Sequence, residues 1–166
     1  MKNIFIILFS VFSLTIFSQD AETLCIEGET LYNQGKDEEA IAKYTKAIKL
    51  NPEMINAYLQ RASIYSYLKQ YNKAVEDYTV VIKSDNKQVW SYISRGSAYN
   101  KLEKYNKALA DFNRAINLDP ENLEAYNNRG WSKKFLGDKD GACKDWKTSK
   151  KKGNKEAKII LKNNGC

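Results

Sequence analysis

Apolar residues recur along this chain with the spacing of amphipathic helices, and the whole pattern repeats every 34 residues. Ala40, Ile41, Tyr44, Ala47 and Ile48 show the spacing, because residues three and four apart share one face of a helix. Small residues keep the period through the chain, at Ala40, Ala74, Ala108 and Ala142 and again at Gly28, Ala62, Gly96 and Gly130. A period of this length and regularity predicts a repeat architecture.

Each period contains two helical segments separated by a short turn, so every repeat is predicted to be a helix hairpin. Proline at the end of a period, as Pro52 and Pro120, would stop the second helix. The copies span residues 21–54, 55–88, 89–122 and 123–156, and a capping helix is predicted at residues 155–163. One hairpin cannot bury its apolar face alone, so neighbouring repeats are expected to stack into an all-α array.

Charged residues mirror each other across the turn of every repeat. Repeats two to four carry arginine before the turn and aspartate after it, whereas repeat one carries the opposite signs in the same places. The predicted pairs are Arg61 with Asp77, Arg95 with Asp111, Arg129 with Asp145, and Glu27 with Lys43. The correlated exchange in repeat one favours ion pairs between the two helices over the alternative, independent surface charges.

The spaced residues resemble the tetratricopeptide repeat family, in an exported bacterial form. Repeat three matches the family pattern best, with Tyr92, Gly96, Tyr99, Ala108, Phe112 and Pro120 at the expected offsets. Repeat four departs from it at Lys133, Ser149 and Asn154. The resemblance covers residues 21 to about 156 and implies one domain, residues 20–166, built as a right-handed α-solenoid of four hairpins and a capping helix.

In this family the ligand usually lies in a concave groove lined by the first helix of each repeat. The resemblance therefore implies a partner-binding groove, and our candidates are Leu59, Tyr67, Trp90, Ile93, Asn127 and Trp131. The carried-over positions also include Asn100 and Phe135. Exposed aromatic side chains are enriched at binding hot spots, but packing between successive helices is the competing explanation for each apolar member. The positions where some members clamp a ligand carboxylate hold no cation here.

The chain opens with a short positive start and an apolar run of 14 residues, Ile4 to Phe17. This pattern is typical of a secretory signal peptide, predicted at residues 1–19. A retained membrane anchor is the alternative, although about 20 apolar residues are needed to span a bilayer comfortably. We therefore expect an exported protein, periplasmic or secreted, with no transmembrane helix in the mature chain.

The net charge of +7 is concentrated at the C-terminal end. Residues 131–166 contain 11 lysines against four acidic residues, whereas residues 20–130 are nearly balanced. Such a basic end could hold the protein on anionic lipid or glycan, which is our alternative function. The simpler explanation is a solvated lysine face on a terminal cap. Nucleic acid is not an expected partner, because export would separate the protein from it.

The three cysteines point to one disulfide. Cys143 and Cys166 lie at similar distances on either side of a turn predicted near Gly153, so an antiparallel helix pair would bring them together. Export would expose them to an oxidising compartment. We predict a Cys143–Cys166 disulfide; two free thiols, or chains linked through Cys166, are the alternatives. Cys25 is expected to be a buried thiol or an intermolecular link.

Catalytic and metal-binding patterns are absent from the sequence. The chain has no histidine, which excludes Ser-His-Asp and Cys-His arrangements, and no CxxC spacing. We therefore predict no enzyme, no cofactor and no metal. The predicted function is a scaffold or adaptor that binds a protein or peptide segment, with self-association through open repeat ends as a further expectation.

Overall fold

The protein is described by a computed structural model that covers residues 20–166. The predicted signal peptide, residues 1–19, lies outside the described residues. Within the described part, the regular elements are nine helices and no strands. They are α1 (residues 20–33), α2 (Asp37–Leu50), α3 (Ile55–Tyr67), α4 (Tyr71–Ser84), α5 (Val89–Lys101), α6 (Tyr105–Leu118), α7 (Leu123–Phe135), α8 (Lys139–Lys151) and α9 (Ala157–Asn163). The predicted all-α class is confirmed.

The helices keep the 34-residue period of the sequence. α3, α5 and α7 begin at the first position of repeats two, three and four, namely Ile55, Val89 and Leu123. None of the helices in residues 20–166 has the length and apolarity needed to cross a bilayer.

The turn inside each of the four repeats contains one residue with left-handed backbone geometry. These residues are Gly35, Lys69, Glu103 and Gly137, with φ angles of 73°, 61°, 58° and 88°. After Gly35, Glu103 and Gly137 the next N–H donates back to the preceding helix, as from Lys104 to the carbonyl of Tyr99 at 2.8 Å. This is the hydrogen bond of a helix C-cap, where glycine avoids the steric cost of the left-handed region.

The described residues form two compact units, one ending at Leu68 and the other running from Lys69 to Cys166. The core of the first unit consists of Cys25, Ala40, Tyr44, Ala47, Ala57 and Ile64. A Cβ atom at Gly28 would lie 3.0 Å from the ring of Tyr44, so glycine permits this close approach. Burial raises the pKa of Tyr44 to about 12, with smaller contributions from Glu29 and neighbouring groups.

The second unit contains α4 to α9, and consecutive helices from α4 onward pack on each other. Its main core cluster consists of Ile82, Tyr92, Ile93, Ala108, Phe112, Ala115, Ile116 and Ala125. Gly96 faces the ring of Phe112, and Gly130 faces Trp146 even more closely. A small residue on the first helix of a hairpin thus accommodates a large one on the second.

Two of the predicted arginine–aspartate pairs join neighbouring helices of the second unit. The Nε and Nη2 atoms of Arg95 donate to the two carboxylate oxygens of Asp111 at 2.8 and 2.7 Å. Arg129 makes the same pair of bonds to Asp145 at 2.8 and 2.7 Å. Burial raises the pKa of the Asp111 carboxyl, and the hydrogen bonds and charge of Arg95 oppose that rise.

The Nη1 atom of each of these arginines donates to a residue of the preceding repeat, a contact that the sequence did not predict. Arg95 Nη1 donates to Thr79 Oγ1 at 3.1 Å, and Arg129 Nη1 donates to Asn113 Oδ1 at 2.7 Å. In the first unit, Arg61 Nη1 donates to Thr45 Oγ1 at 2.9 Å. Each guanidinium therefore joins consecutive repeats as well as, for Arg95 and Arg129, the two helices of its own hairpin.

The other two predicted pairs differ from these. Lys43 and Glu27 form an ion pair in the first unit, where both side chains are well exposed. Asp77 is buried in the second unit, whereas Arg61 belongs to the first. The pairing of Arg61 with Asp77 stays a prediction.

The C-terminal hairpin pairs α8 with α9. Leu161 of α9 packs in a cluster with Ala142 and Trp146 of α8. The side chain of Asn154 accepts hydrogen bonds from the N–H groups of residues 156 and 157 at 3.0 and 3.3 Å. This cap places the start of α9 at Ala157, two residues later than predicted, because residues 155 and 156 form the capping turn.

Cys143 and Cys166 lie next to each other in the structure, with their Cα atoms 5.5 Å apart, a separation that a disulfide can span; the disulfide itself stays a prediction. Cys25, in contrast, is buried in the first unit, and its thiol donates to the Sδ of Met54 at 3.1 Å. Burial, and then the nearby charge of Glu22, raises the pKa of Cys25. Its buried position makes Cys25 a poor nucleophile and a poor site for a link between chains.

Candidate functional site

A surface depression in the second unit lies between α5 and α7, with a volume of about 670 Å³. It is lined by Ser97, Asn100, Lys101, Glu103, Tyr105, Glu124, Asn128, Trp131 and Phe135. Most of these residues belong to the first helices of repeats three and four, which contact each other directly. We refer to this depression as the α5–α7 groove.

Three aromatic side chains form one wall of the α5–α7 groove. The rings of Tyr105 and Phe135 stack with centroids 5.0 Å apart, and those of Phe135 and Trp131 lie 6.2 Å apart. Trp131 then meets the buried Trp146 edge-on at 5.1 Å. Phe135 is 55% exposed although it stacks on both sides. The wall therefore runs from solvent into the core and presents apolar surface that is held in place.

Polar side chains between α5 and α7 are bonded to one another. Ser132 Oγ donates to Asn100 Oδ1 at 2.8 Å, and the amide nitrogen of Asn100 donates to the carbonyl of Asn128 at 3.4 Å. The amide nitrogen of Asn128 donates to Ser97 Oγ at 3.4 Å. These bonds fix the spacing of the two helices and place amide and hydroxyl groups beside the aromatic wall.

The charged residues of the α5–α7 groove are available to a ligand. Lys101, Glu103 and Glu124 line it, and none of them has an ion-pair partner within residues 20–166. The ammonium of Lys134 lies 5.0 Å from the ring centre of Trp131, a distance suited to a cation–π contact. A bound segment could therefore meet apolar, amide and charged groups within one surface.

Two of the predicted groove residues, Trp90 and Trp131, have accessible surface in the second unit. Trp131 is half-buried in the aromatic wall, while Trp90 on α5 is 61% exposed and does not line the depression. Asn127 is half-buried outside the groove lining, and its carbonyl accepts a hydrogen bond from Trp146 Nε1 at 3.2 Å. Its position serves the packing of Trp146.

The prediction for Ile93 was wrong. Ile93 is only 1% exposed and belongs to the core cluster with Ala108, Phe112 and Ala125. At this point the face of α5 that carries Ile93 is covered by neighbouring helices, so the side chain cannot reach a ligand. The competing explanation, packing between helices, is the correct one here.

The remaining two predicted groove residues lie on α3 of the first unit. Tyr67 is 71% exposed, and Leu59 is half-buried. A groove that continues from these residues to the second unit stays a prediction.

Sequence reasoning missed Tyr105, Glu103 and Asn128 because it considered only selected positions of the first helices. Tyr105 begins α6, the second helix of its repeat, and still reaches the ring of Phe135. A signal was present, since Tyr71 holds the same place in repeat two. Within residues 20–166, no group of three His, Cys, Asp or Glu side chains is placed to hold a metal ion.

A second depression lies in the C-terminal hairpin beside the Cys143–Cys166 pair. It has a volume of about 730 Å³ and is lined by Lys139, Asp140, Cys143, Lys144, Lys147, Thr148, Lys151, Gly165 and Cys166. A smaller neighbouring depression adds Lys150, Lys158 and Leu161. The basic excess of the sequence therefore collects on one face of the second unit.

Stacked helix hairpins with a lined groove define a helical-repeat interaction module, and sequence comparison identifies its family. A family described as "TPR repeat" matches residues 28–69 and 96–132, and one described as "Tetratricopeptide repeat" matches residues 55–88. The chain belongs to the tetratricopeptide repeat family, whose members are scaffolds for protein interaction. No curated protein sequence matches the chain.

Several solved structures resemble the structure of this protein. The first TPR of Spaghetti (RPAP3), bound to an HSP90 peptide, is 32% identical with a TM-score of 0.68, covering 72% of this chain and 95% of that one. The Arabidopsis OM64 TPR domain is 31% identical with a TM-score of 0.65, covering 71% and 98%. MamA from Desulfovibrio magneticus RS-1 is 24% identical with a TM-score of 0.76, covering 80% and 75%, and shows the fold alone.

Proposed function

We propose that this protein binds a segment of a partner protein in the α5–α7 groove. The observation that carries the proposal is Phe135, which is 55% exposed as a residue and yet stacks its ring against both Tyr105 and Trp131. An aromatic side chain already held in place loses little conformational freedom when a ligand covers it. Such residues are typical anchors of protein interfaces.

The polar groups of the groove suit a peptide ligand. Asn100 and Asn128 bring amide groups next to the aromatic wall, and Lys101 and Glu124 supply charges of both signs. A peptide backbone needs donors and acceptors when it leaves water, and its side chains need an apolar surface. The related Spaghetti domain was solved with a bound HSP90 peptide, which supports peptide binding as a function of this fold.

The groove can be tested by photo-cross-linking from its rim. A benzophenone amino acid in place of Lys101 would capture whatever lies in the groove in the producing cells, and mass spectrometry would locate the linked peptide. Phe135→Ala should reduce the yield of that product about thirtyfold, because the loss of a hot-spot side chain costs roughly 2 kcal/mol of binding free energy. Trp131→Ala is a poorer test, because Trp131 also contacts the buried Trp146.

Leu136→Ala provides the matched control. Leu136 follows Phe135 in the chain and is exposed, but it does not line the groove. We expect this variant to keep the wild-type yield. Equal yields from Phe135→Ala and wild type, or equal losses in both variants, would refute groove binding.

We also propose that the protein acts outside the cytoplasm. The charged start and apolar run of residues 1–19 support export. N-terminal sequencing of the protein from fractionated cells should find a mature chain that begins near Gln19. An uncleaved chain in the cytoplasm would contradict the proposal.

A second candidate function is attachment to an anionic surface, lipid or glycan. The clustering of lysines beside Cys143 and Cys166 supports it, because a basic concave surface attracts and concentrates anions. Binding that weakens steeply with salt and is insensitive to Phe135→Ala would identify this function. Binding that resists salt and is lost in Phe135→Ala would instead identify the groove.

A further inference from the structure

Six lysines surround the Cys143–Cys166 pair in two adjoining depressions that share Lys147, Lys151 and Cys166. We call this surface the lysine trough. Its lysines are Lys139, Lys144, Lys147, Lys150, Lys151 and Lys158. The only acidic side chain in its lining is that of Asp140.

The charges of the lysine trough are not neutralised by the protein. None of the six ammonium groups has a carboxylate within 4.0 Å among residues 20–166. Two other lysines of the same repeat are paired, since Lys133 lies 2.9 Å from Asp145 and Lys152 lies 2.6 Å from Glu121. Closely spaced lysines repel one another, and small anions from solution screen that repulsion. An anion with several charges would replace those counterions and release them, which favours its binding.

The helices that carry the lysines are packed against the core of the second unit. α8 is anchored in the core through Trp146 and Ala142, and Leu161 together with the Cys143–Cys166 pair holds α9 and the following residues against it. From Lys139 to Lys151 the trough follows twelve steps of one helix, roughly 18 Å at the usual rise per residue. A row of charges of this length matches a chain of anionic groups better than a single ion.

The lining also indicates which polyanion would fit. It contains no aromatic side chain, so it provides no surface for stacking nucleobases. Its one large apolar side chain, that of Leu161, is buried in the hairpin and cannot insert into a bilayer. A concave row of lysines therefore favours a flexible chain over a flat membrane surface.

We infer that the lysine trough binds a linear glycan that carries several sulfate or phosphate groups along its length. This inference rests on the second candidate function and specifies its ligand. Binding in the α5–α7 groove does not depend on it.

Fluorescence anisotropy with two labelled probes, a linear polyphosphate and a sulfated oligosaccharide, would test the inference on the purified protein. The triple variant Lys144→Gln/Lys147→Gln/Lys151→Gln should bind at least about tenfold more weakly at 50 mM salt and show a shallower dependence of affinity on salt. Lys144→Arg/Lys147→Arg/Lys151→Arg should retain binding. We expect the sulfated oligosaccharide to bind the more tightly, and tighter binding of polyphosphate would overturn the choice of a glycan.

Lys83→Gln/Lys87→Gln/Lys104→Gln serves as the control, because it removes the same charge from exposed lysines of the second unit outside the trough. We expect it to bind within about twofold of the wild type. Equal losses in the two Gln variants would overturn the inference, since they would show that only net charge matters.

Anionic phosphatidylglycerol vesicles and duplex DNA complete the test. Tighter binding to DNA than to either linear probe would overturn the inference. Binding to vesicles without binding to the chains would also overturn it but leave the second candidate function in place. If neither vesicles nor chains bind, both fail together, whereas the cross-linking result at Lys101 stands by itself.

Discussion

Removal of the Arg95 side chain should strongly destabilise the second unit. In the structure Arg95 and Asp111 are 16% and 7% exposed, and Arg95 is the partner of both carboxylate oxygens. Arg95→Ala would leave a charged Asp111 in the core without that partner and would also free Thr79. Breaking a buried ion pair on one side costs about 3–5 kcal/mol, and we expect Arg95→Ala to fall in this range.

The comparison with Lys43→Ala makes the prediction quantitative. Lys43 and Glu27 occupy the equivalent places in repeat one, but their side chains are 34% and 47% exposed. Exposed pairs contribute about 0–1 kcal/mol, because water and salt screen them. Two pairs at equivalent positions should therefore give very different losses of stability, because one pair is buried and makes more hydrogen bonds while the other is exposed.

The effect of pH gives a second, independent signature. Burial raises the pKa of Asp111 and Arg95 opposes the rise, so Arg95→Ala should raise that pKa further. The folded state would then hold the Asp111 proton more tightly than the unfolded state does. The free energy of unfolding would therefore fall as pH rises above 3.8, the ordinary pKa of an aspartate in an unfolded chain. The destabilisation caused by Arg95→Ala should therefore be larger at neutral pH than in mild acid.

Urea unfolding can follow each unit. All three tryptophans, Trp90, Trp131 and Trp146, lie in the second unit, so their fluorescence reports its unfolding, while far-ultraviolet circular dichroism reports both units. The exchanged variant Arg95→Asp/Asp111→Arg should recover part of the loss. The reasoning would be refuted by equal costs for Arg95→Ala and Lys43→Ala, by no recovery on exchange, or by a loss that does not vary with pH.

Two further predictions concern packing and the disulfide. Gly130→Ala should lower the free energy of unfolding by about 1–3 kcal/mol in urea, because the new Cβ would overlap the ring of Trp146. Gly28→Ala should cost less, since its Cβ would lie 3.0 Å from the ring of Tyr44. A larger loss for Gly28→Ala than for Gly130→Ala would contradict this reasoning. Mass measurement of the alkylated protein should show two additional alkyl groups after reduction of the Cys143–Cys166 pair. Urea unfolding of the reduced protein should show a loss of roughly 3 kcal/mol in the free energy of unfolding. Full alkylation before reduction would show that the thiols are free.

Local features of the fold were predictable from the sequence. The helical character of α5 and α7 follows from the spacing of their apolar residues, because that spacing depends only on nearby positions. The partners Arg95 and Asp111 were also predictable, since two positions that mirror each other across a short turn must meet in a hairpin. The same reasoning located Cys166 near Cys143.

The candidate site was predictable only in part. Trp131 was identified through the resemblance to a known family, and the structure places it in the groove wall. Ile93 occupies an equally apolar place on the same kind of helix and is buried. Tyr105 contributes to the groove from a second helix that the family pattern does not assign to it. Accessibility depends on which neighbouring helices cover a face, and the periodicity of one helix does not contain that information.

The sequence by itself determined an array of helix hairpins, the pairing of charges across the turns of repeats one, three and four, and the basic character of the C-terminal end. These properties depend on the spacing of residues along the chain and on contacts between residues that are close in sequence. Only the tertiary structure decided that Phe135 stays exposed between two stacked rings, that Arg95 also reaches Thr79 of the preceding repeat, and that the lysines beside Cys143 lack carboxylate partners within the described residues. Each of these depends on distances between side chains from separate helices, and those distances are set when the hairpins pack together.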